Sequence, residues 1–393
     1  MVEVGSRLAD DQTKLSTKFG AVVSVLQEAD YWARQAGASA ISGEHVRQAV
    51  EERVYRSSLI YDRIKEAIAR GILQVDVTGK RTGQVNGLAV SAMGEFSFGR
   101  PTRITATVGV GREGVIDIER EARLGGRIHT KGVLILGGYL THRFGRNLPM
   151  ALSARLVFEQ SYSEVDGDSA SAAELAALLS ALSGLPVRQD LAVTGSINQY
   201  GEMQAVGGLN QKIEGFFDVC RAKGLTGQQG VIIPRSNAVH LNLREDVVEA
   251  IASGQFHIYA IDHSDELVEL LTGVPVGEPD EHGNFPPETV GGRVQARLRE
   301  LVARLQDLGR EQDRAAKDNA GQPRQEGDAK KPGEPPRRPP EGGPEGENGP
   351  ERDGGPEGEG GRKPEQDGGP EGEGRGPGRG GGSAGEGPAG RGG

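Results

Sequence analysis

The chain has 393 residues, 35% of them hydrophobic and 4% aromatic, with 62 glycines, 21 prolines and a formal net charge of −10. That is too little core material for all of it to fold. The acidic balance excludes a role built on broad phosphate-backbone contact, which needs clustered surplus Lys and Arg, so no nucleic-acid partner is expected.

In chain order, residues 7–72 predict three helices. Val22, Val23, Val25, Leu26 and Ala29 recur at helical spacing, then Val46, Ala49, Val50 and Val54, then Leu59, Ile64, Ala67, Ile68 and Ile72. Ser42 suits the start of the second and Gly71 the end of the third. We take 1–74 as a small helical bundle. The first residues carry acids where a signal peptide needs a basic start and an apolar run.

From Val75 the period changes to strand-like alternation, with Gly83, Asn86-Gly87 and Gly94 as turns and 104–108 and 114–118 as strands. Helices over 131–144, 169–183, 209–223 and 243–253 then interleave with strands near 151–157, 191–196, 230–233 and 256–261, predicting an α+β domain over 75–276. The longest apolar stretches, 132–140 and 172–185, are too short or too interrupted to span a bilayer, so no membrane partner is expected. Cys220 stands alone, which excludes an internal disulfide and a thiolate zinc site and suits core packing in a reducing, cytoplasmic setting.

Residues 277–315 read as a linker and an amphipathic surface helix with Val294, Leu298, Leu301, Val302 and Leu305 on one face. Over 316–393 Gly, Pro, Glu and Arg dominate, and Gly-Gly-Pro-Glu-Gly-Glu starts at Gly342, Gly354 and Gly368. Such a segment cannot offset its ordering entropy by burial and is predicted to be disordered.

Two segments carry candidate chemistry. Ser169 opens an Ala- and Leu-rich helix behind Asp168, which is placed to N-cap it, so the helix amides and dipole would favour an oxyanion formed there. A serine at a helix start is ordinarily a cap. In the second segment Gly207-Gly208 turns the chain into a helix whose first turn holds Lys212, where the dipole and burial both favour the neutral amine that a general base needs. A helical lysine is ordinarily a solvated charge. His129, in Gly125-Gly-Arg-Ile-His129, competes for the base role, since triads are spatial rather than sequential, although a packed or helix-start histidine is the plainer reading. Asp117, Glu119 and Glu121 have no paired histidine spacing nearby and read as a solvated strand end, with no metal expected.

Together, Asp166-Gly-Asp-Ser-Ala-Ser171, Val193-Thr-Gly-Ser196, Val206-Gly-Gly-Leu-Asn-Gln-Lys212 and Gly230-Val-Ile-Ile-Pro234 resemble the proteolytic domain of Lon proteases (endopeptidase La), in the same order and over about 79–275. The resemblance implies Ser169 as nucleophile, Lys212 as base, Thr194 holding the lysine through its hydroxyl, and Asp166 shaping the loop before the serine. Asp168 stands where the best-known Lon enzymes have proline, and Ser196 where they have glutamate. The segment 7–72 is similar to an AAA+ lid, with Arg47 in the place of a nucleotide-sensing arginine. The implied activity is serine-type hydrolysis of peptide bonds in unfolded or damaged proteins, within a homo-hexamer and alongside an AAA+ ATPase module. The sequence contains no Gly-x-x-x-x-Gly-Lys-Ser/Thr loop, so this chain is expected to bind no cofactor itself and to meet ATP only through such a module. A non-catalytic ring or adaptor, and self-cleavage, stay open as alternatives.

Overall fold

The structure, a computed structural model, describes residues 1–94, 96–146 and 148–320, apart from the side chains of 315–320. These residues fall within one compact unit. Of the segment 316–393 expected to be disordered, 316–320 continue the last helix, and 321–393 lie outside the described residues.

The N-terminal segment holds four helices: α1 (Val2–Arg7), α2 (Phe19–Gln35), α3 (Gly43–Ser57) and α4 (Leu59–Ala69). The three expected helices are present and α1 is additional. Ser42 caps α3 as expected, its Oγ accepting from the His45 N–H.

Next come β1 (Lys80–Arg81), β2 (Gln84–Met93), β3 (Phe96–Val110), β4 (Gly114–Asp117), α5 (Ile118–Glu121), α6 (Arg127–Phe144), β5 (Leu152–Phe158) and α7 (Ser171–Ser183). They are followed by β6 (Val187–Arg188), β7 (Leu191–Val193), β8 (Ser196–Ile197), β9 (Met203–Gln204), α8 (Leu209–Lys223), β10 (Gly230–Pro234), a 3₁₀ turn (Arg235–His240), α9 (Glu245–Ala252), β11 (His257–Ile261), α10 (Ser264–Thr272) and α11 (Val290–Ala320). The fold is α and β in mixture, as expected.

Seven strands form one mixed sheet in the order β11-β10-β7-β2-β3-β5-β4. β2, β7, β10 and β11 run parallel to one another, while β3 is antiparallel to β2 and β5. Each face is covered, and consecutive residues show it. In β10, Ile232 enters the core shared with α6, α7, α10 and α11, whereas Val231 and Ile233 enter the core shared with α4, α8 and α9. A strand buried on both faces reads as a continuous apolar run, which is why Gly230-Val-Ile-Ile-Pro234 shows no alternation. Helix α7 is buried nearly all round, which accounts for its Ala and Leu content.

Helix α11 differs from the surface element expected. Val290, Val294, Leu298 and Leu301 are core residues, and the helix runs on to Ala320. Its apolar stripe is covered by the same chain over these turns. Cys220 is buried, as expected.

Candidate active site

The turn that carries Ser169 precedes α7, and the expected helix start is two residues early. Ala170 is the N-cap residue and no side chain caps the helix, so Asp168 is not its N-cap. The Asp168 carboxylate instead accepts from Ser196 Oγ at 3.0 Å. The two positions that depart from the common Lon pattern are therefore hydrogen-bonded to each other. Ser169 itself is half-buried, open enough to be reached.

The Thr194-Gly195 turn clamps the serine turn from the sheet side. Gly195 N–H donates to the Ser169 carbonyl at 2.9 Å, Ala172 N–H donates to the Gly195 carbonyl at 3.2 Å, and Ile197 N–H donates to Ser171 Oγ at 3.1 Å. Asp166 anchors the loop that precedes the serine. Its Oδ1 accepts from the Ile128 and His129 N–H groups at 3.1 and 3.3 Å, satisfying free donors at the start of α6. The loop before Ser169 is thereby tied to that helix.

Lys212 lies in the first turn of α8, its N–H donating to the Gly208 carbonyl at 3.1 Å. Only Gly208 of the glycine pair needs to be glycine. Its φ is +65° and an added Cβ would lie 2.7 Å from Val90 Cγ2, whereas a Cβ on Gly207 would meet nothing within 4 Å. The turn is held by Asn237, which is 1% exposed and bonds both polar groups of the Val206 backbone, accepting from its N–H and donating to its carbonyl at 2.9 Å each.

Depth is set by a backbone crossing. A Cβ on Gly99 in β3 would lie 2.0 Å from the Gln211 carbonyl oxygen and 2.6 Å from Lys212 Cα, and a Cβ on Gly215 would lie 2.0 Å from the Gly99 carbonyl oxygen. Two bare backbones thus touch beside Lys212. Sequence reasoning missed Gly99, Gly215 and Asn237. A glycine inside a strand pattern is a signal of close approach, and Gly99 carries it.

With both turns placed, Lys212 Nζ donates to Ser169 Oγ at 2.8 Å and to Thr194 Oγ1 at 3.1 Å. Lys212 is 3% exposed and Thr194 is fully buried. Burial pulls the Lys212 amine from 10.5 down to about 8, against the opposing pull of the Asp168 carboxylate. Such an amine is partly neutral near physiological pH and can accept a hydroxyl proton.

His129 does not join this group. It is the third residue of α6 and buried, with Nε2 3.0 Å from Asp117 Oδ2 and Nδ1 3.8 Å from Glu174 Oε1. Asp117 and Glu119 correct the reading of a solvated strand end, being 0% and 3% exposed because α6 closes over them, while Glu121 is exposed. Arg47 is exposed and paired with Glu44.

The face of α8 away from Ser169 holds the N-terminal helices. Arg7 Nη2 reaches Glu214 Oε1 at 2.9 Å, and Tyr61 Oη donates to Asp218 Oδ2 at 2.5 Å. Asp218 is also paired with Arg244 at 2.6 Å.

Comparison with known proteins bears on the family. Residues 162–273 match the Lon protease (S16) C-terminal proteolytic domain, and residues 1–56 match the AAA+ ATPase lid domain of archaeal LonB. A Lon protease homolog of Escherichia coli K12 is 45% identical over 58% of this chain, and one of Haemophilus influenzae is 38% identical over 70% of it. An archaeal Lon protease of Methanocaldococcus jannaschii is 40% identical over 29% of the chain and 15% of its own length. The chain spans 40% and 45% of the length of the first two. No described helix is long and apolar enough to cross a membrane. The chain thus carries a match to the Lon (S16) proteolytic domain, preceded by a match to the AAA+ lid of archaeal LonB.

Proposed function

We infer that this chain is a serine-type endopeptidase in which Ser169 is the nucleophile and Lys212 the general base. The observation that carries the reading is the 2.8 Å contact between Lys212 Nζ and Ser169 Oγ, made by an amine that burial holds near neutrality. In the neutral form the Ser169 hydroxyl donates to the Nζ lone pair. As Oγ attacks the peptide carbonyl its proton passes to Nζ, and the resulting ammonium then gives a proton to the departing amine. Backbone amides at the approach to α7 supply the oxyanion donors.

Thr194 is the positioning residue. Its Oγ1 accepts from Nζ, which leaves the amine directed at Ser169 without a full counter-charge. A carboxylate in that place would hold the amine protonated.

The substrates are unfolded or damaged polypeptides, cut inside a homo-hexamer in the cytoplasm. The LonB-type lid supports association with an AAA+ module. ATP acts through that module and no cofactor binds to this chain.

The test is hydrolysis of casein and of a short fluorogenic peptide by the purified chain, by Ser169→Ala and by Lys212→Ala. Each variant loses at least about 10³-fold in rate with an unchanged circular dichroism spectrum. Folded variants that cut as fast as the parent end the proposal.

A further inference from the structure

Behind the serine turn lies a second cluster that peptide hydrolysis leaves unused. Asp117, Glu119, His129 and Glu174 come from β4, α5, α6 and α7, and each is at most 3% exposed. Among the described residues, no Lys or Arg pairs with any of the three carboxylates, and the His129 imidazole lies against two of them. Three carboxylates and an imidazole buried together carry surplus negative charge even with His129 protonated. Protons must neutralise it or a cation must.

We propose that Asp117, Glu119 and His129 Nε2 ligate a divalent first-row cation, with Glu174 receiving the Nδ1–H of His129. The three candidate ligand atoms lie within 4.8 Å of one another. His129 Nε2 and Asp117 Oδ2 are 3.0 Å apart yet not aligned as a hydrogen bond, and Nε2 has no other partner. Neighbouring ligands about 2.1 Å from one ion are themselves about 3 Å apart, so that spacing suits a shared metal. Glu119 Oε2 is likewise buried without a partner.

Glu174 is the independent observation. It reaches the cluster from α7, is 1% exposed, and has a buried Oε1 with no hydrogen-bond partner 3.8 Å from Nδ1. A carboxylate facing the second nitrogen of a ligand imidazole is the usual support of a metal-bound histidine, because it fixes the tautomer. Other supports are in place. Asp117 accepts from the N–H groups of Glu119 and Arg120 at 3.2 Å, Glu119 Oε1 accepts from the Phe158 N–H at 2.8 Å, and the Phe158 ring meets the imidazole edge-on at 5.4 Å.

Two carboxylates and one imidazole suit Mn²⁺, Fe²⁺ or Zn²⁺ better than a thiophilic ion. So enclosed a site takes its ion as the chain folds. The full chain is therefore unfolded in denaturant with a chelator, refolded with Mn²⁺, desalted, and examined by elemental analysis and pulsed electron paramagnetic resonance. The expected result is a single Mn²⁺ per chain with hyperfine coupling to an imidazole nitrogen. His129→Gln loses that coupling, and Glu174→Gln binds the ion about 10-fold more weakly. A refolded parent without Mn²⁺, with Mn²⁺ that shows no nitrogen coupling, or with binding unchanged in Glu174→Gln overturns the proposal. The coupling in the parent decides even if His129→Gln fails to fold.

Discussion

Gly99 and Gly215 meet backbone to backbone, and that contact sets how deeply the helix carrying Lys212 sits against the sheet. A side chain on either would begin 2.0 Å from a carbonyl oxygen of the other element. Neither neighbour is a flexible side-chain tip that can swing aside.

Gly99→Ala and Gly215→Ala should therefore force α8 outward. Overpacking of this kind costs about 1–3 kcal/mol, and a shift near 1 Å at the base lowers the rate about 10²-fold. Chemical denaturation and peptide hydrolysis measured together check this, with a fall in turnover expected wherever the chain still folds.

Gly207 and Gly208 should separate cleanly. Gly208→Ala places an L residue at φ +65° against Val90, at a cost of about 1–2 kcal/mol, and disturbs the first turn of α8. Gly207→Ala meets open space and is expected within about 0.5 kcal/mol of the parent. Thermal melts of both variants test the asymmetry, and equal losses would contradict it.

Asn237→Ala leaves both polar groups of the half-buried Val206 backbone without their side-chain partner. The expected loss is about 2–3 kcal/mol with lowered turnover, although Asn237 touches neither Ser169 nor Lys212. A lowered kcat that accompanies an unchanged pH profile would mark it as a residue that positions the turn.

The pH dependence follows from Lys212. The amine must be neutral to accept the serine proton, so peptide turnover rises with pH and levels off above about 8. Stability moves in the same sense. Between about 8 and 10.5 the unfolded chain binds the proton that the folded chain has lost, so folding strengthens as pH rises through that window. A fall from 10.5 to about 8 corresponds to about 3 kcal/mol, hence Lys212→Met should be inactive yet gain stability over the parent at pH 7, a gain that fades toward pH 10.5. Urea titrations across that range check both the sign and the window.

Much of this arrangement was legible in the sequence, and the reasons differ by residue. Helix α8 was read to its ends because an apolar period follows a glycine pair and stops at Gly224. Ser169 and Lys212 were singled out by four motifs in order, since neither residue alone distinguishes a catalyst from a cap or a solvated charge. Asp168 was misread because its carboxylate bonds a hydroxyl from another turn, a contact that local spacing does not encode. Asp117 and Glu119 were misread for a similar reason. Alternating acids at a strand end look solvated until α6 and α7 close over them. Gly99 and Gly215 lie in elements far apart in the chain, and only the packed sheet shows that they touch.

Helix α8 presents its amine to Ser169 while Glu214 and Asp218, on the same helix, grip Arg7 and Tyr61. Trimming the chain back to residue 75 would strip those acids of an arginine and a phenol in one cut, leaving Arg221 and Arg244 to hold Asp218. In a shortened version the lysine helix would rest on altered footings, and rates taken from it would describe a different molecule.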